Sequence, residues 1–208
     1  MVTLDNVQAT LKTGQESLTH NKESLSYSLA DFWRWSVSDI LSNATRGRLA
    51  EFIVATATNI DITQVRDEWG AYDLLTPDGI KIEVKSAAYL QSWEQKKLSK
   101  ISFSTKLSKP WDWEIDKRSS VAVRSADVYV FCLLHQQDKT TVDPLDLNQW
   151  EFYVLATEEL NNYTRSQHSI TLNSLKKLTS AVEYDKLDQE IAIKNALNRI
   201  ADIQINLY

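Results

Sequence analysis

Cysteine, glycine, proline and histidine are all scarce in this chain, and each scarcity closes off a class of protein. The one cysteine, Cys132, leaves no internal disulfide to form. It sits in the apolar run Val128–Leu134, where a packed core thiol is expected rather than a nucleophile. Four glycines and three prolines argue against long flexible linkers, and no Gly-rich phosphate loop occurs, so nucleotide hydrolysis has no support. His20, His135 and His168 lie apart in polar surroundings, without the spacing of zinc ligands. No apolar stretch is long enough to cross a bilayer, and the segment MVTLDNVQATLKTGQES lacks the apolar region of a secretory signal. A soluble cytoplasmic protein with no membrane partner is the expectation. A basic excess is also missing, since the formal net charge is −5. That argues against a tight, non-specific nucleic-acid binder. It does not exclude a nuclease, whose acidic metal ligands enter the sum and are offset by bound cations.

What is present is the composition of an ordinary globular protein, 43% hydrophobic and 25% charged. At 208 residues the chain buries a sizeable core without staples. One domain, 1–208, is expected, with no internal repeat. Residues 1–25 are polar and weakly patterned, and read as a loose arm or a short helix. Residues 36–58 read as one helix, because Val37, Ile40, Leu41, Ala44, Leu49, Phe52 and Ile53 recur at helical spacing. Ser36 or Ser38 would cap it. Gly47, in mid-pattern, costs about 1 kcal/mol relative to alanine and reads as room for a neighbouring element. Strands are expected at 71–76, 80–89, 100–106, 127–134 and 149–156. The run DVYVFCLL has the near-continuous apolar character of a central strand buried on both faces. The last strand runs into Thr157, a helix N-cap. Helices at 173–179 and 186–203 would form a C-terminal helical segment, 170–208. The order predicts a sandwich of the α/β or α+β class, with α/β the fold class expected.

The chemistry concentrates in Tyr72-Asp73-Leu74-Leu75-Thr76-Pro77-Asp78-Gly79-Ile80-Lys81-Ile82-Glu83-Val84-Lys85. Pro77-Asp78-Gly79 reads as a three-residue hairpin loop closed by a glycine bulge, with Gly79 at positive φ. Thr76 then pairs with Ile80, Leu74 with Ile82 and Tyr72 with Val84, which makes one apolar face. The other face carries Asp73 opposite Glu83, with Lys85 two residues on. Opposed carboxylates repel across a ladder. A divalent cation removes the conflict, because hard cations favour carboxylate and carbonyl oxygens. The Val84 carbonyl is a further oxygen donor, and Lys85 is placed to orient a water. Glu51, on the preceding helix, shares a face with Ala44, Gly47 and Arg48 and can reach the strand pair.

An aspartate on a strand, a short hairpin, then Glu-x-Lys on the next strand, after a helical glutamate, resembles the PD-(D/E)xK nuclease superfamily. The likeness spans Glu51 to about Trp93. The proline expected beside the aspartate is absent, and Tyr72 stands there. The resemblance implies a restriction-endonuclease-like three-layer α/β/α sandwich around a mixed central sheet. It also implies phosphodiester hydrolysis dependent on Mg²⁺ (or Mn²⁺). Asp73, Glu83, Lys85 and Glu51 would be catalytic, with Asp73, Glu83, Glu51 and the Val84 carbonyl as metal ligands. Gln91 would be the polar residue that some members place beside the catalytic lysine. The partner implied is nucleic acid, DNA before RNA, with a homodimer left open. The alternative of the same fold is a catalytically inactive module that binds nucleic acid or protein.

Plainer readings compete. Lys81, Glu83 and Lys85 would also alternate on a solvated strand face, and Glu51 would also form a helix ion pair with Arg48 or Arg46. Arg46 and Arg48 read as solvated before a phosphate contact. Lys96, Lys97 and Lys100 form a short basic run beside Trp93, read as a solvated turn before a phosphate contact. The seven tryptophans, Trp111 and Trp113 beside Pro110 among them, could stack bases, with core packing the reading for most.

Overall fold

The computed structural model describes residues 7–109, 111–112 and 117–205; Pro110 and Trp113 fall outside them. Residues 7–16, in the segment read as an arm or short helix, carry no helix or strand, and a hairpin follows, β1 (Ser17–His20) and β2 (Glu23–Ser28). Helix α1 (Leu29–Val37) follows directly, started by a reciprocal cap between Ser28 and Asp31. Helix α2 (Asn43–Ala57) comes next. The single helix expected over 36–58 is therefore two. The break has a local cause: the Asp39 carboxylate accepts hydrogen bonds from the N–H groups of Leu41 (3.2 Å) and Ser42 (3.0 Å), an alternative to continued helix.

The centre is a four-stranded mixed sheet of β3 (Leu74–Leu75), β4 (Lys81–Ala88), β8 (Val128–Leu134) and β9 (Trp150–Ala156), in the order β3-β4-β8-β9. β3 and β4 are antiparallel, β4 and β8 parallel, β8 and β9 antiparallel. The crossover from β4 to β8 holds β5 (Ser102–Ser104) and the small ribbon β6 (Trp111–Asp112) and β7 (Lys117–Arg118), with no helix among its described residues. After β9 come α3 (Thr157–Asn161), β10 (Ser169–Thr171), α4 (Leu172–Leu175) and α5 (Leu187–Ile205). The expected helix at 173–179 is this one short turn, α4.

Alternation along the strands divides the core in two. Ile82, Val84, Val128, Val130, Cys132, Leu134, Phe152 and Val154 face α2 and α5, which meet them with Ala50, Ile53, Val54, Leu187 and Ile191. Tyr129, Phe131, Leu133, Tyr153 and Leu155 face the opposite way, onto the β5–β10 ribbon and α3 and α4. The architecture is thus an α/β sandwich about a mixed sheet, with two helices on one face and a two-stranded ribbon with short helices on the other. Strand β8 is buried at every position, as its apolar run predicts. Burial pushes the Cys132 thiol well above its ordinary range, so it is an inert core group.

Among the described residues, tryptophan contributes little to this core. Trp150 is buried, but Trp33, Trp35, Trp69 and Trp93 are exposed, against the expectation that packing accounts for most of them.

Candidate active site

The hairpin forms in the register its turn chemistry dictates. Leu74 pairs with Ile82 and Leu75 with Lys81. The Thr76 N–H donates to the Ile80 carbonyl (3.0 Å), the Gly79 N–H to the Thr76 carbonyl (2.9 Å), and Gly79 has φ of +80°. The Thr76 hydroxyl also accepts from the Ile80 N–H at 3.0 Å, a contact the sequence reading did not contain.

Regular pairing ends at Leu74 and Ile82, so neither expected pair beyond them, Asp73 with Glu83 or Tyr72 with Val84, belongs to the ladder. The Asp73 N–H donates to the Ile82 carbonyl (3.1 Å), and the Asp73 carboxylate accepts from the Val84 N–H at 2.7 Å. A side chain thus takes the place a backbone carbonyl would hold, and the chain turns off the sheet. Tyr72 therefore packs with the second core cluster, not with Leu74, Ile82 and Val84 as expected, and Lys81 Nζ lies 5.7 Å from the centre of its ring. The geometry has a useful consequence. A strand residue directs its N–H and C=O to the same side, so the Val84 carbonyl leaves β4 at the edge where the Asp73 carboxylate sits.

Glu83 and Lys85 alternate with Val84, and so share the opposite face, where they form an ion pair with each other. Glu51 approaches from α2. Its partner is neither Arg46 nor Arg48 but Arg66, from the segment between α2 and β3. Arg66 also donates to Glu68 at 2.8 Å, and Arg48 pairs with Glu68 at 3.6 Å. Burial raises the Glu51 pKa above the ordinary carboxylate range, against the Arg66 hydrogen bond, with repulsion from Asp73 adding to it. Burial raises that of Glu83 too; Lys85 opposes the shift, and Asp73 and Glu51 reinforce it. The three carboxylates thus feel one another, although each glutamate holds a cation of its own. Among the described residues, no three His, Cys, Asp or Glu side chains already converge as a metal cluster.

Two members of this neighbourhood, Tyr129 and Arg124, left no mark in the sequence. Tyr129 pairs with Glu83 across the parallel strands. Its phenol is pushed up to about 12 by burial and by Glu83, against the opposing Arg124, so at neutral pH it is a neutral donor. Arg124 Nε is buried without a hydrogen-bond partner. Arg46, read as solvated, is 3% exposed. Gln91 is buried and lies against Arg46 (3.5 Å), with its amide donating to the Ala88 carbonyl (3.0 Å) and the Ser99 hydroxyl (3.1 Å). Gly47 admits no neighbouring element, because nothing lies within 4 Å of where its Cβ would stand. It borders a cavity of about 400 Å³ that Lys85, Ser86, Gln91 and Trp93 also line. A second cavity of about 430 Å³, between α3 and α5, shares none of these residues.

A family model described as Bacteriophage T4 endonuclease IV matches residues 3–174. The matched span holds every residue of this site and stops before α5. No curated protein matches the chain.

Proposed function

The chain belongs to the bacteriophage T4 endonuclease IV family, and from that premise we propose that it is a divalent-metal-dependent DNA nuclease of the PD-(D/E)xK type, with the restriction-endonuclease-like fold of that superfamily. The observation that carries the reading is the bond from the Val84 N–H to the Asp73 carboxylate. It brings Asp73 and the Val84 carbonyl to one edge of β4, beside the face that bears Glu83 and Lys85.

The donor set suits Mg²⁺ or Mn²⁺. Asp73, Glu83, Glu51 and the Val84 carbonyl offer only oxygens, as hard cations prefer. Burial and mutual repulsion already raise both glutamates, a cost a divalent ion offsets. These four groups would hold the ion. When bound, it would supply positive charge to the scissile phosphate and acidity to the attacking water. The chain's own part is positional. Asp73 is fixed by its backbone bond, Arg66 holds Glu51, and Lys85, now on Glu83, would turn its ammonium to orient the water and meet charge growing on the phosphate. The water oxygen bonds to phosphorus, one ester P–O bond breaks, and the departing oxygen takes up a proton.

A non-catalytic nucleic-acid-binding member of the same fold is the rival, and the separate pairing of Glu83 with Lys85 and of Glu51 with Arg66 favours it. Incubation of the protein with plasmid and single-stranded DNA in Mg²⁺, against EDTA, decides between them. Cleavage in Mg²⁺ alone, lost in Lys85→Ala, supports the nuclease. Binding without cleavage under every metal supports the rival.

A further inference from the structure

Beyond Asp73, β4 has no strand partner on its outer edge among the described residues. The cavity of about 400 Å³ opens there, between the first turns of α2 and the segment 88–102. Its volume is within the range of small-ligand sites, about 300–1,000 Å³.

Its wall contains Arg46, buried yet without an anionic partner. Arg46 Nε donates to the Ser86 hydroxyl (3.1 Å), Nη1 to the Leu41 carbonyl (2.8 Å) and the Gln91 amide oxygen (3.5 Å), and Nη2 to the Asn43 amide oxygen (2.7 Å). All four acceptors are neutral, and no described carboxylate pairs with it. A guanidinium has five donors, so one N–H remains. A buried cation is costly unless an anion or a full set of hydrogen bonds compensates it; this one is held in place by neutral groups, with no described anion beside it. The same wall is the start of a 15-residue helix. Ser42 makes no side-chain cap, no acidic residue stands in the first turn, and no described residue accepts from the N–H groups of Asn43, Ala44 or Thr45. A helix N-terminus of this kind favours an anion. Gly47, a turn further on, leaves the space above it open. Trp93 (53% exposed) and Lys100 stand at the rim, and Lys85 belongs to both this cavity and the catalytic face.

We propose that the cavity seats the nucleotide adjacent to the one whose phosphodiester is cut, with its phosphate against Arg46 and the first turn of α2 and its base against Trp93. The proposal rests on the nuclease reading for the identity of the ligand, and on Arg46, Gly47 and the cavity for its place. Gln91 is then a positioning residue, holding Arg46 rather than touching substrate.

Gly47→Leu tests it, since the leucine fills the cavity at an open helical position where leucine is the better helix former. Affinity for a short fluorescein-labelled single-stranded oligodeoxynucleotide is read in EDTA, so that cutting does not enter, alongside the melting temperature. The expected result is affinity weakened about tenfold or more, with the melting temperature unchanged or higher. Trp93→Ala should weaken binding several-fold with no loss of fold. Equal affinity of Gly47→Leu and the wild-type protein overturns the proposal, whether or not the protein cuts DNA. Inorganic phosphate that displaces the oligonucleotide at equal concentration also overturns it, since a lone anion then accounts for the site. A wild-type protein that never cuts, yet binds in a Gly47-sensitive way, overturns the nuclease reading and upholds the cavity.

Discussion

Lys85 and Glu83 stand two residues apart on β4 and pair with each other, so each side chain restrains the other until a cation or a substrate separates them. Lys85→Ala should lower the cleavage rate by about two to four orders of magnitude, the usual worth of a group acting on the proton or charge in flight. Stability should change by no more than about 0.5 kcal/mol, as at most surface sites. A variant that cuts at the wild-type rate would take Lys85 out of the mechanism. Glu83→Gln separates two effects. Mg²⁺ affinity should fall about tenfold or more, while the metal-free protein should melt at a higher temperature at neutral pH, because the lost charge is one that burial disfavours. The pH dependence has the same sign. Glu51 and Glu83 have raised pKa values, so the folded state keeps their protons to higher pH than the unfolded chain does. Their contribution to metal-free stability is therefore most favourable below the ordinary carboxylate range and falls as pH rises through the raised values. Melting curves in EDTA from pH 4 upward read it. A wild-type curve with no such fall, or one that Glu83→Gln leaves unaltered, would contradict the assignment.

At the scale of elements, the β3–β4 hairpin is what delivers Asp73. Its loop requires Gly79 at φ +80°, a region that costs other residues about 1–2 kcal/mol. Nothing crowds a Cβ there, so Gly79→Ala should lose about that much through the backbone alone, measured by chemical denaturation, with Asp73 less firmly held. Wild-type stability in this variant would mean that the turn does not set the register. The hairpin was legible in the residues because turn and alternation are both local, and Leu74 opposite Ile82 follows from them. Legibility stopped at Asp73, expected opposite Glu83, for a physical reason. The alternation rule counts backbone bonds, and the Asp73 side chain replaces one of them. The expected long helix failed in the same way, since the Asp39 side chain captures two N–H groups that the helix would have used. In both places a short acidic side chain competes with the backbone, which an apolar period does not register.

Across the whole molecule, α5 lies outside the span shared with the family, yet Leu187 and Ile191 sit wholly buried under the same sheet face as α2. Ile191→Ala should cost about 2–5 kcal/mol, as for deletion in a packed core. A loss under about 1 kcal/mol would mean that α5 is an appendage, not part of the fold. What the residues determined by themselves was whatever depends on near neighbours in the chain: the hairpin and its glycine, the buried central strand β8, the two faces of β4, and the shared side of Glu83 and Lys85. Local sterics and a period of two suffice for these. What only the tertiary structure decided was which distant groups meet. Arg66 reaches Glu51 across fifteen residues, Tyr129 comes beside Glu83 through a parallel pairing that needs a long crossover, and Arg46 is sealed between Ser86 and Gln91. No spacing encodes those meetings, because they follow from how α2, the segment after β4 and β8 close on one another, and the burial that shifts Glu51 and Glu83 exists only once they have.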